Sequence, residues 1–293
     1  MISSAFEYHA PTTVEQAVTL LDEHKENARI LAGGHSLIPL MRFRLAEPEI
    51  LIDLGKINDL TYIREEEDDL TIGAMTVYRQ IANSGLVNRR AAALSEAAGQ
   101  VADPQVRNMG TIGGSLAHAD PAADLPAVML ALGARMEASS HGAIRGVSRR
   151  MIDADDFFVD LLTTALEPDE ILTEIRIPKF EPGTGTSYVK FANKASHFAV
   201  VGVSVLLTMR SNGVCQNARI GVTGAGPKAV RAREAEEILI GNELEDATIE
   251  SAARMADYGI EFNEDVHASA EYREHLTEVF AERGIRAALS RVR

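Results

Sequence analysis

The stretch ILAGGHSLIPL, Ile30 to Leu40, decides how the rest of the chain is read. An apolar run, Ile30-Leu31-Ala32, meets Gly33-Gly34, then His35-Ser36, then a second apolar run beginning at Leu37. Glycine adopts φ > 0 freely and lets a ligand approach where a Cβ would stand. Successive exposed N–H groups can then form a nest for an anion. The flanks give the stretch its setting. Upstream, Thr12 or Thr13 is a helix cap, Glu15-Gln16 fall in the first turn, and Val14, Ala17, Val18 and Leu21 recur at helical spacing. That predicts a helix over 13–24. ARILAG predicts a buried strand ending at Gly33, and Ser36 is a candidate cap for a helix that Pro39 keeps short. EILIDLGKI predicts another buried strand. Residues 1–56 thus read as helix, strand, glycine loop, short helix and strand.

A second stretch has the same make. TIGGS, Thr111-Ile112-Gly113-Gly114-Ser115, again sets a glycine pair after an apolar residue and before a hydroxyl. Each pair alone reads equally as a simple turn. Two in one unit, converging, would suit the two phosphates of a dinucleotide. Neither fits the P-loop pattern or GxGxxG between strand and helix, and the crowded glycines of GVTGAG (221–226) lack that spacing. Between the second stretch and an apolar helix lies HADPAAD, with Asp120 and Asp124. Asp124 fits two roles: a cap on LPAVMLALGA, or a carboxylate accepting hydrogen bonds from ribose or ribityl hydroxyls.

The remaining pattern predicts a hairpin of Thr61–Arg64 and Leu70–Gly73 about a solvated acidic turn, Glu65 to Asp69. Helices follow in TVYRQIANSGLV and AAALSEAAGQVA, two strands about a turn at His141-Gly142, a capped helix start in DADDFFVD, and a strand in DEILTEIRIP. EPGTGTS, 181–187, reads as a linker, which puts a domain boundary near 178–186. Beyond it come long strands, two acidic amphipathic helices and a basic terminal helix. The expected class is α+β: residues 1–178 in two subdomains, 1–56 and 57–178, and a C-terminal unit over 186–293 with an antiparallel sheet and helices.

Composition narrows the function. A net charge of −14 repels a phosphate backbone, so nucleic acid is not expected as a partner. No apolar run reaches the roughly 18 residues that span a bilayer, and MISSAFEYHAP does not resemble a secretory leader, so a cytoplasmic protein is expected. The one cysteine, Cys215, excludes an internal disulfide and an iron–sulfur cluster held by this chain alone; its flanks read as a strand after a turn, a structural position. The eight histidines form no metal-spaced pair, so no metal site is expected. No nucleophile–base set or carboxylate pair stands out either.

AGGHSLIPLMRFRLAEPEILIDLGKI, TIGAMT and ADPQVRNMGTIGGSLAHADPAADLPAVMLALGA, in that order, resemble the FAD-binding (medium) subunits of molybdenum hydroxylases. The likeness is nearest to the carbon monoxide dehydrogenase group and extends more distantly to the flavin domain of xanthine dehydrogenase. It continues through YVKFANKASHFAVVGVSVLL to AEYREHLTEVFAERGIRAAL. It implies an FAD-binding domain of the vanillyl-alcohol-oxidase type, two small subdomains clasping an extended FAD, with a C-terminal domain covering the flavin. It implies pyrophosphate contacts from Ile30, Leu31, Ala32, Gly33, Gly34, His35, Ser36 and Leu37, and from Thr111, Ile112, Gly113, Gly114 and Ser115. It also implies Asp124 on the cofactor, Leu172 near the adenine or the flavin, and Lys190 near the flavin; Lys190 by itself reads as an edge-strand lysine. Many members have Asn where Ser115 stands, and the carbon monoxide enzymes have a tyrosine near the flavin where this chain has Phe198.

The resemblance further implies a division of labour. A large molybdopterin subunit oxidises the substrate, a small subunit with two [2Fe–2S] clusters relays electrons, and FAD in this chain passes them to an external acceptor, in a dimer of heterotrimers. Substrate and acceptor stay open. Arg42, Arg44 and Arg107 face ADP phosphates, a partner or solvent; the terminal helix with Arg283, Arg286, Arg291 and Arg293 docks a partner or is a solvated face. Two other readings stay open: a self-contained flavin oxidase or reductase, with His197 its candidate acid or base, and a scaffold that binds no cofactor.

Overall fold

A computed structural model describes residues 2–142 and 146–292. The first unit is β1 (Glu7–His9), α1 (Val14–His24), β2 (Ala28–Leu31), α2 (Leu37–Arg42) and β3 (Ile50–Asp53). Its three strands are parallel in the order β1-β3-β2. Thr13 caps α1, accepting from the Gln16 N–H, and Ala17, Val18 and Leu21 pack on Ile50 and Ile52 of the sheet. The expected elements form here; β1, three residues long, has too little pattern to be seen in the sequence.

The second unit begins with the hairpin β4 (Ile63–Glu66) and β5 (Asp69–Gly73). The turn between them is only Glu67-Asp68, shorter than the Glu65–Asp69 turn expected, because Glu65, Glu66 and Asp69 join the ladder; Glu65 pairs with Arg90, Asp68 with Lys179 and Asp69 with Arg135. Helices α3 (Tyr78–Ala82), α4 (Gly85–Arg90), α5 (Ala92–Gln100), α6 (Pro104–Met109), α7 (Ile112–His118) and α8 (Asp124–Leu132) follow. The single helix expected over TVYRQIANSGLV is two, because the Ser84 hydroxyl accepts from Val87 and starts α4 afresh. α6, with Asp103 as its cap and Pro104 first, carries the usual start signals and was not expected. Strands β6 (Arg135–His141) and β7 (Val147–Asp153) pair; of the turn expected at His141-Gly142, His141 is the last residue of β6 and the Gly142 N–H donates to the Gly146 carbonyl, while 143–145 lie outside the described residues. After α9 (Ala154–Phe157) come the short pair β8 (Phe158–Asp160) and β9 (Thr163–Thr164), then β10 (Ile171–Ile177). The second sheet is antiparallel, in the order β4-β5-β10-β6-β7.

The third unit is β11 (Thr184–Ala192), β12 (Ala199–Met209), β13 (Cys215–Thr223), β14 (Val230–Arg231), α10 (Arg233–Leu239), α11 (Asp246–Arg254) and α12 (Ala270–Leu289). Its strands form one antiparallel sheet in chain order. β11 starts at Thr184, so much of the expected linker is strand. β12 is buried along almost its whole length, which explains its unbroken apolar sequence: both faces are covered. Val201, Val203, Val205 and Leu207 pack with α12, while Leu206 lies in the core that contains α8. Two glycines let the helices press on bare strand backbone. A Cβ on Gly185 would stand 2.1 Å from the Ala288 carbonyl oxygen of α12, and one on Gly221 would stand 2.1 Å from the Ala127 carbonyl oxygen of α8.

The basic terminal helix binds its own chain. Arg286 pairs with Asp246 and Glu282, Arg291 pairs with Glu96 and donates to the Thr186 carbonyl, and Arg283 lies over Phe280. Arg293 is outside the described residues.

Gly221→Ala drives a methyl group into helix backbone and is expected to lower unfolding stability by about 1–3 kcal/mol. Gly99→Ala, on α5 with nothing nearer than 3.8 Å, is expected to be neutral or stabilising by up to about 1 kcal/mol. Urea denaturation of both variants checks the contrast. Cys215 is 1% exposed, and burial pushes its thiol up to about 11. A thiol reagent near neutral pH should label the native protein slowly and the urea-unfolded protein at once.

Candidate cofactor cleft

Where β2 ends, the chain turns through Gly34 at φ 75° and enters α2. Among the described residues, the N–H groups of Gly33, Gly34, His35, Ser36 and Leu37 donate to no group of the chain. Ser36 stands at the cap position of α2, but its hydroxyl makes no capping bond, contrary to the expected role. The segment is therefore a row of uncommitted donors, and it lines a cleft of about 530 Å³. That volume is in the range of small-molecule sites.

TIGGS is built differently from the loop expected of it. Thr111 caps α7, and the glycines lie in the first turn of that helix. Its donors are already used: Ile112 N–H to Thr76 O, Gly113 N–H to Ala74 O, Gly114 N–H to the Thr111 hydroxyl, and Ser115 N–H to Thr111 O. The glycines serve approach instead. A Cβ on Gly113 would stand 2.5 Å from Ala74 Cβ, and one on Gly114 would stand 3.3 Å from Ala32 Cβ. Gly33 abuts the same region, with an added Cβ 2.3 Å from the Met109 carbonyl oxygen. The two segments do meet, Gly33 against the Met109-Gly110 backbone and Gly114 against Ala32. The free N–H row belongs to the first.

Asp124 lies at the far end of this wall. Ala123 holds the cap position of α8, and Asp124 is the first residue inside the helix. Its carboxylate, 4% exposed, does no capping. Oδ1 accepts from the Tyr188 hydroxyl at 2.5 Å and from Lys190 Nζ at 2.8 Å. Burial pushes this carboxyl above the ordinary range against the pull of Lys190 and Tyr188, and burial beside Asp124 holds the Tyr188 phenol well above its ordinary value. The third sheet grips the segment before it: Gly224 N–H donates to Pro121 O at 2.7 Å, Ala199 N–H to Ala122 O at 3.2 Å, and the Thr223 hydroxyl sits 2.8 Å from Ala123 O.

Most of the residues expected at a cofactor meet here. Ile30, Ala32, Gly33, Gly34, His35, Ser36, Leu37, Thr111, Gly113, Gly114, Ser115, Asp124 and Leu172 all line the cleft. Leu31, Ile112 and Lys190 stand back from it: strand alternation turns Leu31 away, Ile112 is fully buried in the core, and the Lys190 ammonium is spent on Asp124 and on the Gln100 and His197 carbonyls. Phe198, half exposed, and His197, at φ 60°, form part of the rim. Arg107 does not face the cleft's phosphate end; its guanidinium donates to the Val101 and Ala102 carbonyls.

Sequence reasoning missed other parts of the lining. Tyr78 of α3 is buried there, its phenol pushed up to about 12 by burial, so it is a neutral hydroxyl. Leu162 comes from the β8–β9 turn. Glu170 is fixed by Arg150 at 2.6 and 2.8 Å; burial raises its carboxyl, but Arg150 and the Glu167 N–H outweigh that and hold it low. None sits in a motif; each is delivered by tertiary packing. Arg29 is the one Lys or Arg among the described lining residues, and it donates to the Glu26 and Ala28 carbonyls. An anion here would rest on backbone dipoles more than on side-chain cations. Among the described residues, no set of three His, Cys, Asp or Glu side chains is grouped for a metal.

Residues 4–180 match the family model described as the FAD binding domain in molybdopterin dehydrogenase. The chain belongs to this family. Residues 186–288 match the CO dehydrogenase flavoprotein C-terminal domain. The carbon monoxide dehydrogenase medium chain of Hydrogenophaga pseudoflava is 40% identical over 292 residues, 99% of each chain. The 6-hydroxypseudooxynicotine dehydrogenase complex subunit alpha of Paenarthrobacter nicotinovorans is 38% identical, covering 99% of this chain and 96% of that one. A solved structure of the Hydrogenophaga pseudoflava enzyme superposes with a TM-score of 0.94 at 41% identity, covering 100% of both chains. This family member therefore carries the expected α+β architecture of an FAD-binding unit followed by a flavoprotein C-terminal unit.

The residues fit FAD. A row of unpartnered N–H groups suits the pyrophosphate, and the glycines leave the backbone of the two segments in contact beside it. Gly33→Val would force Gly33 off the Met109 carbonyl and split the wall. The purified variant is expected to lose most of its flavin, read from the ratio of visible to ultraviolet absorbance, while Val266→Ala, at a residue 95% exposed and outside the cleft, leaves that ratio unchanged.

Proposed function

We propose that this chain is the FAD-binding electron-transfer subunit of a molybdenum hydroxylase complex. The observation that carries the reading is the row of free N–H groups from Gly33 to Leu37 on a cleft wall shared with α7 and Asp124. Bound FAD would supply the chemistry of collecting electrons and handing them on as a pair. The chain's own part is to bind, orient and shield. The Gly33–Leu37 amides and the Ser36 hydroxyl would hold the phosphates, the start of α7, packed on Ala32 through Gly114, would wall that end, and the 193–198 loop of the third sheet would cover the opposite side of the cleft. Residues 1–178 would form the FAD-binding part and 186–293 the cover.

The substrate would be oxidised elsewhere, by a large molybdopterin subunit, with a small [2Fe–2S] subunit between. One cysteine, buried and with its thiol pushed up by that burial, agrees with clusters held in another chain. So does the spread of relatives: one is named for carbon monoxide and another for a hydroxylated nicotine derivative, at similar identity. The reaction's identity is thus a property of the partner. Among the described residues, no helix is long and apolar enough to cross a membrane.

The purified chain alone is expected to be yellow, to be bleached by dithionite and to turn over no carbon monoxide, aldehyde or N-heterocycle. Activity should require co-expression with molybdopterin and [2Fe–2S] partners. Turnover by the isolated chain would favour a self-contained oxidase using His197, and a colourless chain that takes up no FAD would sink the reading.

A further inference from the structure

We propose that Tyr188 and Lys190 are positioning residues: they hold the Asp124 carboxylate by one oxygen so that the other faces the cleft as an acceptor for a hydroxyl or N–H of the cofactor. The inference rests on the reading of the cleft as an FAD site. Both bonds end on Oδ1, from Tyr188 at 2.5 Å and from Lys190 at 2.8 Å. Among the described residues, no side chain donates to Oδ2; the one further bond to the carboxylate comes from the N–H of Asp124 itself. Asp124 lines the cleft, and Lys190 does not. The ammonium has three protons and three acceptors, Asp124 Oδ1 and the Gln100 and His197 carbonyls at 2.8 Å each, so it has nothing left for a ligand. Tyr188 is buried and has one proton, which goes to Asp124.

The third sheet makes room for this arrangement. Across the β11–β12 ladder from Lys190 stands Gly202, where a Cβ would lie 2.5 Å from the Tyr188 hydroxyl oxygen. Any larger residue there displaces that hydroxyl from Asp124. Lys190 also fixes the loop that carries Ser196, His197 and Phe198 into the cleft rim, through the His197 carbonyl. That loop includes a non-glycine residue at positive φ, which needs such a hold. One ammonium therefore sets both the acceptor and the rim beside it. A carboxylate buried at the start of α8 is further favoured by the helix dipole.

The test is FAD binding by the full chain, stripped of flavin and titrated by fluorescence from about pH 6 to about pH 9. Besides Lys190 and Tyr188 on β11, the charged and titratable groups around Asp124 are Tyr78 on α3, His118 on α7, Asp120 in its own segment, Glu170 before β10 and His197 on the rim loop. Asp124→Asn should weaken FAD about ten- to hundredfold, the worth of a hydrogen bond to a charged acceptor. Tyr188→Phe should weaken it about three- to tenfold, with the fold retained by circular dichroism. Lys190→Met removes the cation that opposes the burial of Asp124, so the carboxyl stays protonated to higher pH. FAD affinity should then fall at neutral pH and recover as pH rises, whereas Lys190→Arg keeps the parental profile. An equal loss at every pH in Lys190→Met would mark a purely structural role and overturn the proposal. So would parental affinity in both Tyr188→Phe and Lys190→Met while Asp124→Asn binds weakly. If Asp124→Asn itself binds as the parent does, the failure lies in the reading of this wall as cofactor-facing. Should Lys190→Met not fold, Gly202→Ala replaces it, with weakened binding expected and parental binding refuting.

Discussion

The fold depends on how the short segment Pro121–Asp124 is held between two sheets' worth of structure. Its carbonyls are taken by Ala199, Thr223 and Gly224 of the third sheet, and its last side chain is a buried carboxylate met by Tyr188 and Lys190. Breaking a buried ion pair by removing one partner typically costs about 3–5 kcal/mol, because a charge is left behind without its counterpart. That makes the start of α8 a fixed point. α7 before it and α8 after it inherit their positions, and with them the wall of the cleft.

Close backbone approach is the second constraint. Gly33 against Met109, Gly113 against Ala74, Gly185 against Ala288 and Gly221 against Ala127 each mark a place where two elements touch with no side chain between them. The glycines of AGGHS and TIGGS thus do different jobs despite their likeness. In the first, the gain is a run of amides left free; in the second, it is a helix pressed onto Ala74, just past β5, with its amides already bonded. A site for a doubly charged group then needs few cations, and the net acidic chain supplies few near it.

Much of this was legible in the sequence. Helical spacing gave α1, α8 and α12, unbroken apolar runs gave β3 and β12, and the glycine pairs marked the cleft to within a few residues. What failed has a common cause. TIGGS looked like a loop because glycine disfavours helices, yet a Thr cap and a tight fit against Ala74 outweigh that preference. Lys190 does stand on an edge strand, but its ammonium turns to three acceptors from α5, α8 and a later loop, which no local pattern shows. Tyr188, the hydroxyl that meets Asp124 across 64 residues of chain, could not be singled out by local pattern at all. Residues 184–187 of the expected linker are strand because they pair with β12, and the basic terminal segment also spends Arg286 and Arg291 on Asp246 and Glu96 of its own chain, contacts that no local pattern shows.

All nine residues of α8 are buried, between the second unit of the chain and the third. A nascent chain that has emerged only as far as β10 would display α8 with one flank uncovered and the Asp124 carboxylate without its cation. The cleft would lack the Ser196, His197 and Phe198 part of its rim until the loop between β11 and β12 had been made and held in place. A cofactor bound before then would lie open to solvent on that side.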